Sequence, residues 1–124
     1  MKTFWKASIC FVVCAMGWAG GKSLLEQAPA KYAEKRSPLE GDRDAELAGA
    51  KLYERECSAC HGTNREGRGK APALNRPDVS HAAPGVLFWI LRNGSLHRGM
   101  PSFAHLPEPQ RWQIVSFLRA EAKP

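Results

Sequence analysis

Cysteine is scarce in this 124-residue sequence, with 4 copies, and methionine is scarcer, with 3. Much of both is expected to be discarded. Cys10, Cys14, Met1 and Met16 fall in residues 1–19, a stretch with the form of a secretory signal peptide. Lys2 and Lys6 open it, Ala7 to Trp18 is an apolar run of about 12 residues, and Gly17-Trp18-Ala19 sets small residues at the cleavage positions. A membrane anchor needs ~20 apolar residues, so the run is too short for that role. The bulky Ile9 and Val13 before the two leader cysteines speak against lipoprotein processing. Removing the leader leaves Cys57 and Cys60, which are too close together to build a disulfide framework, and a single methionine, Met100.

Other absences narrow the class further. No stretch alternates convincingly between apolar and polar residues, so a β architecture has no sequence support, and no internal repeat is visible. Excess charge is also missing. The formal net charge is +6, and without Lys2 and Lys6 it falls to about +4, short of a nucleic-acid binder's profile. A composition 44% hydrophobic and 24% charged is that of a globular domain rather than a disordered chain. About 105 residues remain after the leader, a length at which a small core often needs a covalent staple or a bound group.

The remainder divides in two. Residues 20–43 mix Pro29, Pro38, Gly41 and scattered charges with few apolar side chains, and read as a flexible tether with little packing. Residues 44–124 form the domain, expected to be all-α with about three main helices and long loops. The first helix is capped by Asp42 or Asp44, packs through Leu47, Gly49, Ala50 and Tyr53, and ends near Cys57. The second starts at Pro84, is apolar all round through Val86 to Leu91, and stops at Asn93-Gly94. The third runs from Pro107 or Pro109 to about Ala122, with Trp112, Ile114, Val115, Phe117 and Leu118 as its apolar stripe.

The chemistry is concentrated in Cys57-Ser58-Ala59-Cys60-His61. C-x-x-C-H is the attachment pattern of a c-type haem: two thiols two residues apart each add to one porphyrin vinyl group, and the next histidine lies under the iron. Two other chemistries use similar spacing. A thioredoxin-type redox pair wants a strand before it and a helix after it, whereas here a helix precedes and a Gly-rich loop follows. A zinc site needs four ligands, and beyond the motif only the scattered His81, His97 and His105 are on offer. A haem would also supply the staple, since a large apolar macrocycle gives short helices a shared surface to bury.

The opposite axial position then decides the kind of haem protein. Met100 lies in the loop Arg98-Gly99-Met100-Pro101, where Gly99 permits close backbone approach and Pro101 stiffens the chain, and it is the expected second ligand beside His61, with His81, His97 and His105 as the alternatives. With both bound, the iron has no vacant position, which favours electron transfer over catalysis. With Met100 off the iron, the site would suit a haem enzyme or gas sensor.

From Asp44 to Lys123 the sequence resembles the class I cytochromes c. The resemblance is carried by Gly49 and Tyr53 ahead of the motif, Cys57 to His61 itself, Ala71-Pro72-Ala73-Leu74, Met100, and Ile114, Phe117 and Leu118 in the last helix. It implies one covalent haem c held by Cys57 and Cys60, with His61 and Met100 on the iron. It also implies that the first and last helices cross at Gly49 and Phe117, with Tyr53 alongside, and that the Pro72 carbonyl accepts a hydrogen bond from His61. Trp89 is then expected near the haem. The implied role is a periplasmic one-electron carrier, not an enzyme, with membrane association only if the leader stays uncleaved. Its partners would be redox proteins, with Leu106 to Arg119 similar to cytochrome domains of quinoprotein dehydrogenases, or a terminal oxidase; nucleic acid is not among them. Arg65, Arg68, Lys70, Arg76, Arg92 and Arg98 are expected to steer an acidic partner.

Overall fold

The computed structural model describes residues 21–120. Residues 1–20, which hold the expected leader, and 121–124, which hold the expected helix end at Ala122, lie outside the described residues. The helices are α1 (Ala30–Ala33), α2 (Arg43–Glu56), α3 (Ser58–His61), α4 (Pro77–Ser80), α5 (Pro84–Asn93) and α6 (Glu108–Arg119), with 3-10 turns at Leu25–Gln27 and Leu96–Arg98. No strand occurs among the described residues; two isolated bridges, Arg68 with Ala71 and Ser95 with Met100, only tighten loops. The fold is all-α, as expected.

Each main helix starts where the local chemistry dictates. Asp42 caps α2 by accepting from the Ala45 N–H at 3.0 Å, and Asp44 and Glu46 place negative charge in its first turn. Pro84 opens α5 at a position that needs no N–H, and Gly94, at φ +63°, closes it. Pro107 precedes α6, with Pro109 in its first turn.

The core is built on the crossing of α2 and α6. The two backbones come so close at Gly49 that a Cβ there would lie 1.9 Å from the Gln113 carbonyl oxygen and 2.9 Å from Phe117 Cβ. Beside the crossing, the Tyr53 and Phe117 rings meet at 5.4 Å, and Ile114 and Val115 are fully buried. α5 packs across α6 through Phe88, whose ring stacks on Trp112 at 4.1 Å. Leu47 is corrected by this geometry. The buried face of α2 is Ala45, Gly49, Leu52 and Tyr53, spaced by four, three and one, and Leu47 falls on the other side of the helix, 54% exposed.

The expected absence of packing over residues 20–43 is also corrected. Leu25 and Leu39 pack against the core, and Tyr32 tilts against Trp89 with ring centroids 6.4 Å apart. Gly85 lets this segment lie directly on α5: a Cβ at Gly85 would meet the Tyr32 carbonyl oxygen at 2.1 Å. At its far end Ser116 Oγ donates to the Leu39 carbonyl at 3.5 Å. Isolated apolar residues among charges dock here because each meets a surface already formed by α5 and α6. A Gly85→Val substitution is expected to lift the segment off α5 and make residues 22–41 markedly more sensitive to protease while α2 and α6 stay resistant, which limited proteolysis would read.

Candidate functional site

Cys57 ends α2, its N–H bonded to the Tyr53 carbonyl at 2.8 Å, and the chain turns at once into α3. This single turn holds Cys60 and His61 by bonds from their N–H groups to the Cys57 carbonyl, at 3.2 and 2.9 Å. Gly62, at φ +87°, stops it, and the Tyr53 hydroxyl donates to the Gly62 carbonyl at 2.7 Å. The long α2 and the buried Tyr53 thus fix the three side chains of the motif in one short stretch of backbone.

His61 is further oriented from the following loop. Its Nδ1 lies 2.8 Å from the Pro72 carbonyl oxygen, and because a carbonyl only accepts, Nδ1 carries the proton and Nε2 keeps a lone pair for a metal. The loop that brings Pro72 there is tightly folded. The Gly67 N–H donates to the His61 carbonyl at 2.7 Å, Arg68 and Ala71 exchange bonds of 3.1 and 2.9 Å, and the Leu74 N–H donates to the Arg65 carbonyl at 2.8 Å. Gly67, at φ +81°, has no room for a side chain, since a Cβ would sit 2.6 Å from the Ala73 nitrogen.

Arg65 departs from its expected place on a basic surface. It is 7% exposed, adopts φ +58°, and stacks its guanidinium 4.7 Å above the Phe117 ring. Arg68, Lys70, Arg76, Arg92 and Arg98 are exposed. The role of Arg65 as a link between the histidine loop and α6 was missed because it depends on Phe117, 52 positions away in the chain.

Met100 sits in a loop of its own between α5 and α6. The Ser95 N–H donates to the Met100 carbonyl at 2.8 Å and the Met100 N–H to the Ser95 carbonyl at 3.1 Å, closing a tight loop in which Gly99 takes φ +84°. The loop is tied to α5 by the Phe103 N–H, which donates to the Leu91 carbonyl at 2.8 Å. Gly94 permits the close return of the chain, because a Cβ there would lie 2.5 Å from the Pro101 carbonyl. Met100 is half-buried against the same core cluster that contains Cys57. The remaining histidines are exposed: His81 Nδ1 pairs with the Pro77 carbonyl at 2.8 Å, His97 lies near Ser95 Oγ at 3.4 Å, and His105 tilts against Phe103. Trp89, expected near a haem, is paired with Tyr32 of the N-terminal segment.

The electrostatics bear on the alternatives. Burial pushes the Cys57 thiol up to about 12, with the negative charges of Glu56 and Cys60 adding to it, so little thiolate forms at Cys57 itself. Among the described residues no group of three His, Cys, Asp or Glu side chains is placed to hold a metal ion, which leaves a zinc site short of the ligands it needs. The donors present are two unpaired thiols, one oriented imidazole and one thioether, a set that fits a covalently attached haem. Tyr53 is pushed up to about 12 from 10, chiefly by burial, with Cys57 adding and Arg65 opposing. In the unfolded chain the phenol ionises first, so the stability it contributes is whole below pH 10 and is lost as the pH rises to about 12. Chemical denaturation across that range is expected to show a falling midpoint, with a smaller fall in Tyr53→Phe; parallel falls would refute the assignment.

Residues 44–118 match the family described as cytochrome c oxidase, cbb3-type, subunit III. The chain belongs to this family as a class I c-type cytochrome. The cytochrome is 36% identical over 94 residues to the quinohemoprotein alcohol dehydrogenase ADH-IIG of Pseudomonas putida, an alignment covering 74% of this chain and 12% of that protein. Two solved structures share its fold. Cytochrome cL from Methylophaga aminisulfidivorans superposes with a TM-score of 0.60 at 24% identity, over 86% of the cytochrome and 71% of that chain. Cytochrome cL from Hyphomicrobium denitrificans does so with a TM-score of 0.51 at 20% identity, over 82% and 72%.

Proposed function

We propose that the cytochrome is a periplasmic mono-haem electron carrier between a dehydrogenase or respiratory donor and an acceptor. The observation that carries the proposal is the hydrogen bond from His61 Nδ1 to the Pro72 carbonyl, which turns Nε2 into a fixed, basic ligand directly after two free thiols. Cys57 and Cys60 would hold haem c through thioethers, and His61 and Met100 would bind its iron. When bound, the haem supplies reversible one-electron Fe(III)/Fe(II) exchange. The chain's residues set its terms: the Met100 thioether favours the ferrous state and the apolar core lowers the local dielectric, both of which raise the potential. With His61 and Met100 both bound to the iron, oxygen and peroxide would find no place on it.

The partner follows from two supports. The cytochrome resembles a segment of a quinohemoprotein alcohol dehydrogenase, and its exposed Arg68, Lys70, Arg76, Arg92 and Arg98 suit a small transient contact with an acidic redox protein. A quinoprotein dehydrogenase is therefore the proposed donor, and a terminal oxidase is among the acceptors. The leader supports delivery to the periplasm, and no helix among the described residues is long and apolar enough to cross a membrane.

The test is spectroscopic. Protein matured with haem-attachment machinery is expected to show covalent haem and the weak methionine-to-iron charge-transfer band, and Met100→Ala is expected to abolish the band and lower the potential. Persistence of the band in Met100→Ala would overturn the ligand assignment. Reduction by a quinoprotein dehydrogenase is expected to slow as ionic strength rises.

A further inference from the structure

The segment before α2 follows a course with two anchored ends. At one end it meets the methionine loop: Arg98 Nη2 donates to the Lys22 carbonyl at 3.1 Å, across 76 positions of sequence. It then runs along α5, where Tyr32 lies against Trp89 and the Lys35 ammonium sits 5.1 Å above the Phe88 ring and 5.8 Å from that of Trp112. At the other end it reaches α6, where Arg119 Nη1 approaches Glu40 Oε1 at 3.9 Å beside the bond from Ser116 to Leu39. Residues 22–41 are thus a strap joining the Met100 loop to the α2–α6 crossing, with α5 beneath.

The methionine loop benefits from such a tie. Leu96 is 79% exposed, and His97, Arg98 and Gly99 are exposed with it, so little apolar burial holds the loop's outer side. Loops with few buried contacts open locally at low free-energy cost. Opening this one would carry the Met100 thioether away from the core. The strap touches the loop from outside: Arg98 is bonded to it directly, and α5, on which it rests, is tied to the loop by the Phe103 N–H on the Leu91 carbonyl.

We infer that the strap is a positioning element for Met100: its docking on α5 and on Arg98 restrains the loop opening that would withdraw the thioether from the iron. This rests on Met100 being an axial ligand. The experiment measures how fast imidazole displaces the methionine in the full-length ferric protein, followed by loss of the charge-transfer band. Tyr32→Ala removes the strap's aromatic contact with Trp89, well along the chain from the loop, and is expected to raise the displacement rate about two- to tenfold. Arg98→Gln, at an exposed position, is expected to raise it by a similar factor. A wild-type rate in Tyr32→Ala overturns the inference, even if the unfolding midpoint falls, because Tyr32 would then be merely structural. If Tyr32→Ala does not fold, removal of residues 22–29, which takes away the Lys22 carbonyl, decides in its place by the same criterion. A wild-type protein with covalent haem but without the methionine band overturns the ligand reading instead.

Discussion

Gly49→Ala is expected to cost the protein more than ~3 kcal/mol of folding stability, beyond the usual range for one extra buried methyl group. The reason is what the new Cβ would meet. At 1.9 Å from the Gln113 carbonyl oxygen and 2.6 Å from its carbon, it strikes backbone of α6, which cannot rotate aside as a side chain would. The helices must separate or slide, and either movement unseats Tyr53 from Phe117 and loosens Ile114 and Val115. Against a total stability of about 5–15 kcal/mol, that is a large share. Leu47→Ala, two residues away on the exposed face, is expected to change stability by no more than ~0.5 kcal/mol. Chemical denaturation of both variants checks the pair, and a cost below ~1 kcal/mol for Gly49→Ala would show that the crossing has slack.

The second large effect is expected from Cys57→Ser combined with Cys60→Ser. On the proposed attachment, nothing would then fix haem covalently, and only His61 and Met100 would remain to hold it. A bound group stabilises a fold by mass action, so a haem free to leave protects far less than one that cannot. The double variant should lose haem to a scavenger such as apomyoglobin and unfold many degrees below the parent. The single variants separate two causes. Cys57 is buried in the core, and a serine there adds the burden of a hydroxyl without a partner, about 1–3 kcal/mol. Cys60 is exposed, so Cys60→Ser carries no such burden and should keep its haem through one thioether, with absorption bands moved to longer wavelength by the vinyl group left conjugated. Full haem retention by the double variant during scavenging would refute the covalent assignment.

What the sequence made legible has a common physical character. Asp42 as a cap, Pro84 as a start and Gly94 as a stop are local effects, decided within a few residues: Pro84 and Gly94 are where they were expected, and Asp42 is one of the two caps the sequence offered beside Asp44. The motif Cys57 to His61 was legible because its chemistry demands that spacing. The contact of Gly49 with Phe117 and the bond from His61 to Pro72 came from resemblance and are present in the structure. Elsewhere the deciding partner is remote. Leu25, Tyr32 and Leu39 are too sparse to form a pattern, and only the faces of α5 and α6 give them a reason to dock. Arg65 carries a charge that argues for solvent until the Phe117 ring lies under it. Leu47 was misplaced because a helix face shifts by 100° per residue, and Gly49 rather than bulk sets the direction of approach.

Cys57 is 8% exposed in the finished fold, and its burial imposes an order of events on maturation. The core cluster it belongs to also takes in Ile114, Val115 and Leu118 of α6, which follow it in the chain by more than 50 positions. Any covalent chemistry on that sulfur has to be finished while the chain is still incompletely packed, so a variant that folds too soon would escape modification as surely as one that lacks the thiol.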